Sequence, residues 1–197
     1  MRRTARISRI AVSAVALAAL LSGCGNDRAA VPDLSLVPAP KAFRETFFQA
    51  QGVRFRAPTN WRVVPGDRPQ IATVAIGTAQ VAIWRYPRTE PLPETRAQLG
   101  AARDALVAQI RSRDPTFELT STRLVMKRGL RGVEVLGVGT NLTNPTAKRS
   151  MRSLHAYGGG AEVVMDAFAP PKEFRRIDEQ TFGPMARSLK LRAPKVQ

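Results

Sequence analysis

The sequence predicts an α+β domain, a largely antiparallel sheet with helices packed on its faces, and three observations carry that prediction. Short apolar or alternating runs are separated by hairpin-length turns rich in Gly, Pro and Asn, as strands require. Two longer segments, one central and one near the C-terminus, space their apolar residues at helical intervals instead. The composition is 44% hydrophobic, enough for a core, and a single cysteine leaves no intramolecular disulfide to take its place.

The chain opens on a basic leader, Arg2, Arg3, Arg6 and Arg9, followed by the run Ile10–Leu21, apolar but for Ser13. At ~1.5 Å rise per residue this run spans roughly 18 Å, short of a ~30 Å hydrocarbon core, so residues 1–23 read as a signal peptide and not as a lasting transmembrane helix. Arg2-Arg3 lacks the flanking residues of a twin-arginine signal. Leu21-Ser22-Gly23-Cys24 resembles the lipobox of bacterial lipoproteins. That resemblance implies cleavage between Gly23 and Cys24, a diacylglycerol thioether on Cys24, an N-acyl chain on its new amino group, and an extracytoplasmic protein lipid-anchored to the cell membrane. The plain alternative is an ordinary signal peptide followed by a free or buried thiol. Each buried CH₂ contributes ~0.8 kcal/mol and two chains hold stably where one is marginal, so Cys24 alone would supply the contact with membrane lipid.

Residues 24–48 contain Pro32, Pro38 and Pro40 and show neither period, which predicts a lipidated N-terminus and flexible linker. About 20 such residues reach roughly 25 Å root-mean-square. The competing reading is an extended arm docked through Leu34, Leu36 and Val37.

The globular domain is expected over 49–197. Val53 and Phe55 alternate with Arg54 and Arg56, and Pro58-Thr59-Asn60 turns the chain into Trp61–Val64. Ile71–Ile76 is almost continuously apolar, which predicts a strand covered on both faces, paired across Gly77-Thr78 with Ala79–Tyr86. Leu99, Ala102, Leu106 and Ile110 then mark an amphipathic helix between Pro93 and Arg113, stopped by Asp114-Pro115. Four more strands follow: Phe117–Met126, Leu130–Leu142, Lys148–Tyr157 after a turn at Asn144-Pro145-Thr146, and Ala161–Phe168 after Gly158-Gly159-Gly160. Pro170-Pro171 opens a final helix with Phe174, Ile177, Phe182, Met185 and Leu189 on its apolar side, which Gly183-Pro184 should kink or divide. Phe182 is expected to be buried where that helix meets the sheet.

Three stretches, Gly52-Val53-Arg54-Phe55-Arg56-Ala57-Pro58-Thr59-Asn60-Trp61, the apolar pair around Gly77, and Phe174…Phe182…Met185-Ala186-Arg187-Ser188-Leu189, resemble the PsbP-like family of α/β/α sandwich domains, which includes actinobacterial lipoproteins of the LpqN type. The resemblance implies a noncatalytic envelope or accessory protein. No residue here matches the metal-cluster role of the photosynthetic relatives.

The chemistry-bearing residues agree with that expectation. His155 is the only histidine, and Cys24 would be acylated, so neither a His-rich metal site nor a Cys–His nucleophile can be built. No catalytic residue, metal or cofactor is therefore assigned, and His155 reads as a packed or surface residue. Glu118, Glu134, Glu162 and Asp166 fall on separate strands except that Glu162 and Asp166 share a strand face, which keeps a carboxylate pair open. Gly158-Gly159-Gly160 lacks the helix and the Lys-Ser/Thr of a phosphate loop and reads as a hairpin turn. Trp61 reads as core, while Trp84 with Tyr86 is the candidate ligand platform.

The formal net charge is +16, mostly arginine and dispersed along the chain. Such a charge draws an anchored domain toward anionic lipid or wall polymer, and Arg96, Arg103 and Arg111, off the apolar stripe of the central helix, are the candidate contacts. An envelope protein is the other partner class; nucleic acid is not expected, since no recognition motif accompanies the charge. The leading function is a membrane-anchored noncatalytic binding module, with an envelope hydrolase using a carboxylate pair and a structural membrane-to-wall bridge as alternatives. An acid pair within ~10 Å in one cleft would favour the hydrolase. An apolar pocket at Trp84 or Tyr86 would favour the binder. A smooth basic face would favour the bridge.

Overall fold

In the computed structural model, which describes residues 36–127, 129–141 and 144–194, the domain is built from ten strands and three helices. They follow in order as β1 (Phe43–Phe48), β2 (Val53–Pro58), β3 (Arg62–Pro65), β4 (Gln70–Ile76), β5 (Ala79–Pro87), α1 (Arg96–Arg113), β6 (Glu118–Lys127), β7 (Leu130–Asn141), β8 (Asn144–Gly158), β9 (Ala161–Ala169), α2 (Pro171–Ile177), α3 (Gly183–Ser188) and β10 (Lys190–Leu191). Seven strands form one antiparallel sheet in the order β3-β4-β5-β9-β8-β7-β6, and β1-β2-β10 form a second, three-stranded one. The α+β class is as the sequence predicts.

The signal peptide and the lipobox Leu21-Ser22-Gly23-Cys24 lie outside the described residues. The linker boundary moves: β1 falls inside the 24–48 stretch, and Val37 is buried against the core, its N–H donating to Glu173 Oε2 at 3.1 Å. The end of that stretch is thus folded chain. The strand was hard to see because β1 lies at the edge of the small sheet, where its apolar residues need only partial cover. The expected turn at Asn144-Pro145-Thr146 is also displaced, since β8 already begins at Asn144.

Side-chain alternation sorts the large sheet into two faces. One face, with Val81, Ile83, Leu154, Val163 and Met165, packs against the small sheet and the C-terminal helices through Phe55, Trp61, Ile177 and Phe182. The other receives only α1, whose buried Leu99 and Leu106 meet Val133 and Val135 of β7. A capping box, Thr95 with Gln98, starts this helix one turn later than Pro93, and Asp114 ends it. Because α1 lies over β6 and β7, β4 is covered on one face only: Ile71, Ala72 and Val74 are buried, while Thr73 and Ala75 are half-exposed. This corrects the expectation of a doubly covered strand.

The C-terminal helix divides as Pro184 requires. Without an N–H, Pro184 cannot close the ordinary i→i−4 bond, and Asp178–Phe182 widens into a π turn in which Gly183 N–H reaches Asp178 O. Beyond α3, Arg192 N donates to Gly52 O at 2.9 Å. Gly52 (φ +61°) is tight against this segment, for a Cβ there would stand 2.3 Å from Arg192 O.

Candidate functional site

Since α1 shelters only one end of its face, the strands β5, β9 and β8 leave an open cleft of about 610 Å³ beside it. The cleft floor is one parity of each strand: Trp84 and Tyr86 from β5, Glu162, Val164, Asp166 and Phe168 from β9, and Arg149, Met151, Ser153 and His155 from β8. Leu106, Ile110 and Arg113 of α1 form the wall. At its far end, Phe117 and Asp114 close on β7, which approaches through Gly137 and Gly139; a Cβ on Gly137 would sit 2.2 Å from the Phe117 ring and one on Gly139 2.4 Å from Asp114 Oδ2. Asp114 is occupied there by the Thr140 N–H at 2.7 Å and by Thr116.

The strand register sets the polar groups in rows across the floor. Tyr86, Glu162 and Tyr157 make one row, Trp84, Val164 and His155 the next, and Ser153 with Asp166 the third. In the first row, Glu162 receives Arg88 on one oxygen, and His155 Nδ1 lies 2.6 Å from the other. Burial by itself would raise the Glu162 pKa, but the bonds to His155 and Arg88 outweigh it and hold the carboxyl below the ordinary range. Tyr157 below it is pushed up to about 12 by burial and by the Glu162 charge.

Asp166 is in the opposite situation. It accepts a hydrogen bond from Ser153 Oγ at 2.5 Å, yet burial outweighs this bond and the attraction of His155, Arg149 and Arg113, so its pKa is raised. An acid whose folded-state pKa is raised stabilises the fold fully only below its unfolded value and opposes it as the pH rises through the folded one. Asp166→Asn is therefore expected to melt above the wild type at neutral pH, the gap closing as the pH approaches the ordinary aspartate value of 3.8. Thermal melts of both proteins against pH check this; a variant that melts lower at neutral pH would refute it.

The structure brings together some of the residues anticipated from sequence and separates others. Trp84, half-buried, and Tyr86, 40% exposed, do line the cleft, whereas Trp61 is core. His155, read as a packing residue, lies on the cleft floor bonded to Glu162. Glu118 pairs with Lys148 at the surface, and Glu134 is buried on the other sheet face against Arg152. Arg96 and Arg111 are exposed on α1, and Arg103 pairs with Asp104 at 2.8 Å. Arg88, Arg113, Arg149 and Ser153 were not singled out. The signal for Arg149 and Ser153 is the parity of β8, where Arg, Ser and His recur on one side; Arg88, just past β5, and Arg113, at the end of α1, carry no local signal.

The chain forms an α+β domain with an open pocket between its large sheet and one helix, and its fold is like that of PsbP. It is similar to cyanobacterial PsbP (CyanoP) from Synechocystis sp. PCC 6803, with a TM-score of 0.57 and 11% identity over 87% of this chain and 98% of that one. It is also similar to LpqN of Mycobacterium tuberculosis, a protein involved in cell envelope biogenesis (TM-score 0.55, 12% identity, 77% of this chain and 91% of that one). The Ran-binding protein Mog1p of Saccharomyces cerevisiae shares the fold at a TM-score of 0.51 and 10% identity, over 77% and 96% of the two chains. No protein-family model and no curated protein sequence matches the chain. Among the described residues, no helix is long and apolar enough to cross a membrane, and no three His, Cys, Asp or Glu cluster as metal ligands.

Proposed function

We propose that the protein is an envelope lipoprotein, anchored through acylated Cys24, whose domain serves as a noncatalytic binding module with the α1 cleft as its site. The observation that carries this reading is the cleft itself: at about 610 Å³, with Trp84 on its floor and Leu106 and Ile110 on its wall, it has the size and mixed lining of a small-molecule pocket. A fold shared with LpqN, involved in cell envelope biogenesis, and with Mog1p, a Ran-binding protein, is consistent with a binding role. Mass spectrometry of small molecules that copurify with the full-length protein tests it. Gln109→Trp, on the exposed lip of α1, narrows the mouth without touching the core and should strip any specific ligand; a wild type that carries nothing more than the variant does rejects the cleft as the site.

The anchor has its own test. Cys24→Ala should remove the acyl adduct from the intact mass and release most of the protein from membranes. A wild type without an adduct would end the lipoprotein reading.

Hydrolysis is the weaker alternative. Glu162 and Asp166 do face one cleft, but four residues along a strand separate their Cα atoms by roughly 13 Å, and Glu162 is already saturated by Arg88 and His155. The bridge alternative predicted a surface without a pocket. Its electrostatic part survives as a secondary attraction: exposed Arg96 and Arg111, with Arg103, would draw the domain weakly to anionic lipid or wall polymer. The triple replacement by Gln should abolish vesicle binding that ~0.5 M salt also abolishes, because the Debye length there falls to roughly 4 Å. Unchanged binding by the triple variant would dismiss these arginines.

A further inference from the structure

The cleft contains two guanidinium groups that nothing in the described structure neutralises directly. Arg88 is consumed by Glu162, and Asp114 by Thr116 and Thr140, but Arg113 at the end of α1 and Arg149 on β8 make no ion pair among the described residues. Arg149 stands over the Phe168 ring, 3.9 Å from its centroid, which fixes the guanidinium and leaves its rim of N–H donors available. Burial lowers its pKa with only the distant pull of Asp166 against it, so a charge is being held in a poorly solvated place without an anion in contact. Asp166 feels both arginines but bonds to Ser153 instead. Two cations, Arg113 and Arg149, share the cleft with two carboxylates, Asp114 and Asp166, but each carboxylate is held by threonine or serine and neither guanidinium has an ion-pair partner among the described residues.

Apolar floor lies next to these two guanidiniums. Trp84 and Val164 share one row of the floor, Phe168 and Met151 share another with the Ser153–Asp166 row between them, and Leu106 and Ile110 stand above on α1.

We propose that the cleft binds a small aromatic acid, its carboxylate or phosphate seated on Arg113 and Arg149 and its rings lying along the floor toward Val164 and Trp84, under Leu106 and Ile110. This rests on the binding-module reading and names the ligand chemistry for it. The anion supplies the partner that both guanidiniums lack, and charge-assisted bonds of this kind are stronger than neutral ones. The rings replace water on a floor that is largely apolar between its polar rows.

The test is calorimetric titration of the full-length protein, held in nanodiscs of zwitterionic lipid with empty discs as the blank. The probes are 2-naphthoate, 2-naphthyl phosphate and the uncharged 2-naphthamide, which has the same rings. At least one acid should bind about tenfold or more tighter than the amide, and the better of the two identifies the headgroup. Arg113→Gln and Arg149→Gln should each weaken the acid by about tenfold and leave the amide unchanged, while Arg175→Gln, exposed on α2 outside the cleft, changes neither. If Arg149→Gln does not fold, judged by its melting curve, Arg113→Gln on the exposed end of α1 carries the decision. Equal binding of acid and amide, or acid binding indifferent to both arginines, overturns this inference while leaving a cleft that binds. No heat from any probe also overturns it, and the module reading then stands or falls separately on what copurifies with the wild type against Gln109→Trp.

Discussion

Arg152→Ala is expected to cost about 3–5 kcal/mol of unfolding free energy, the usual consequence of removing one partner from a buried ion pair. Arg152 lies on the core face of β8 with its side chain 11% exposed. Its fork takes Asp178 through Nε and Nη2, both at 2.6 Å, and Nη1 reaches Glu134 Oε2 at 2.5 Å. Burial by itself would lower the Arg152 pKa; the two carboxylates overcome it and the net direction is upward. Without Arg152, Glu134 still has Arg123 at 2.8 Å, but Asp178 is left with no cation among the described residues. That loss is a large part of the ~5–15 kcal/mol that holds an ordinary domain together. Urea denaturation measures it. Arg152→Lys should recover only part, since a point charge cannot serve two carboxylates through a planar fork, whereas Arg152→Met combined with Asp178→Asn should lose much less than Arg152→Ala. A loss below about 1 kcal/mol for Arg152→Ala would mean the network is solvated and the argument is wrong.

Phe182→Ala should cost a similar amount, about 3–5 kcal/mol, for a different reason. The Phe182 side chain is 1% exposed in the π turn. Its ring meets Trp61 edge-on at 6.0 Å and Phe174 at 5.9 Å, so truncation empties a space walled by rigid rings that cannot collapse into it. Phe182→Leu, which refills most of the volume, should recover much of the loss. A melting temperature unmoved by Phe182→Ala would reject this packing.

These two sites differ in how far the sequence disclosed them. Phe182 was readable as core because it continues the apolar side of a helix, and Pro184 announced the break beside it, both being local effects within a turn or two of chain. Arg152 was not. It stands at a core-facing position of β8, and only the arrival of Asp178 from the π turn and Glu134 from β7 makes a buried arginine tolerable there. The cleft shows the same division. The alternation of Arg149, Met151, Ser153 and His155 against Ser150, Arg152, Leu154 and Ala156 was visible, and Trp84 was marked as a platform. What no local pattern contained is that α1 covers only half of its face, because that depends on where the helix lands across the sheet. Arg113 and Arg149 come to one cleft only as a result of that landing. β1 was overlooked for a simpler reason: an edge strand needs little apolar signal.

The small sheet has a consequence in time. Its first two strands, β1 and β2, stand near the start of the domain, and its third, β10, is among the last residues described. β10 closes it by pairing Lys190 with Arg54 and Leu191 with Val53, and other long-range bonds lie beside it: Ser188 Oγ accepts from Arg56 N across 132 residues, and Arg176 donates to Val37 O across 139. Loops of that length form late in folding, and a chain emerging N-terminus first cannot form them at all until α2, α3 and β10 have emerged. The core that Phe55 and Trp61 need is completed by Phe182, Met185 and Leu189, so the domain stays open until the residues of α3 and β10 arrive to lock it.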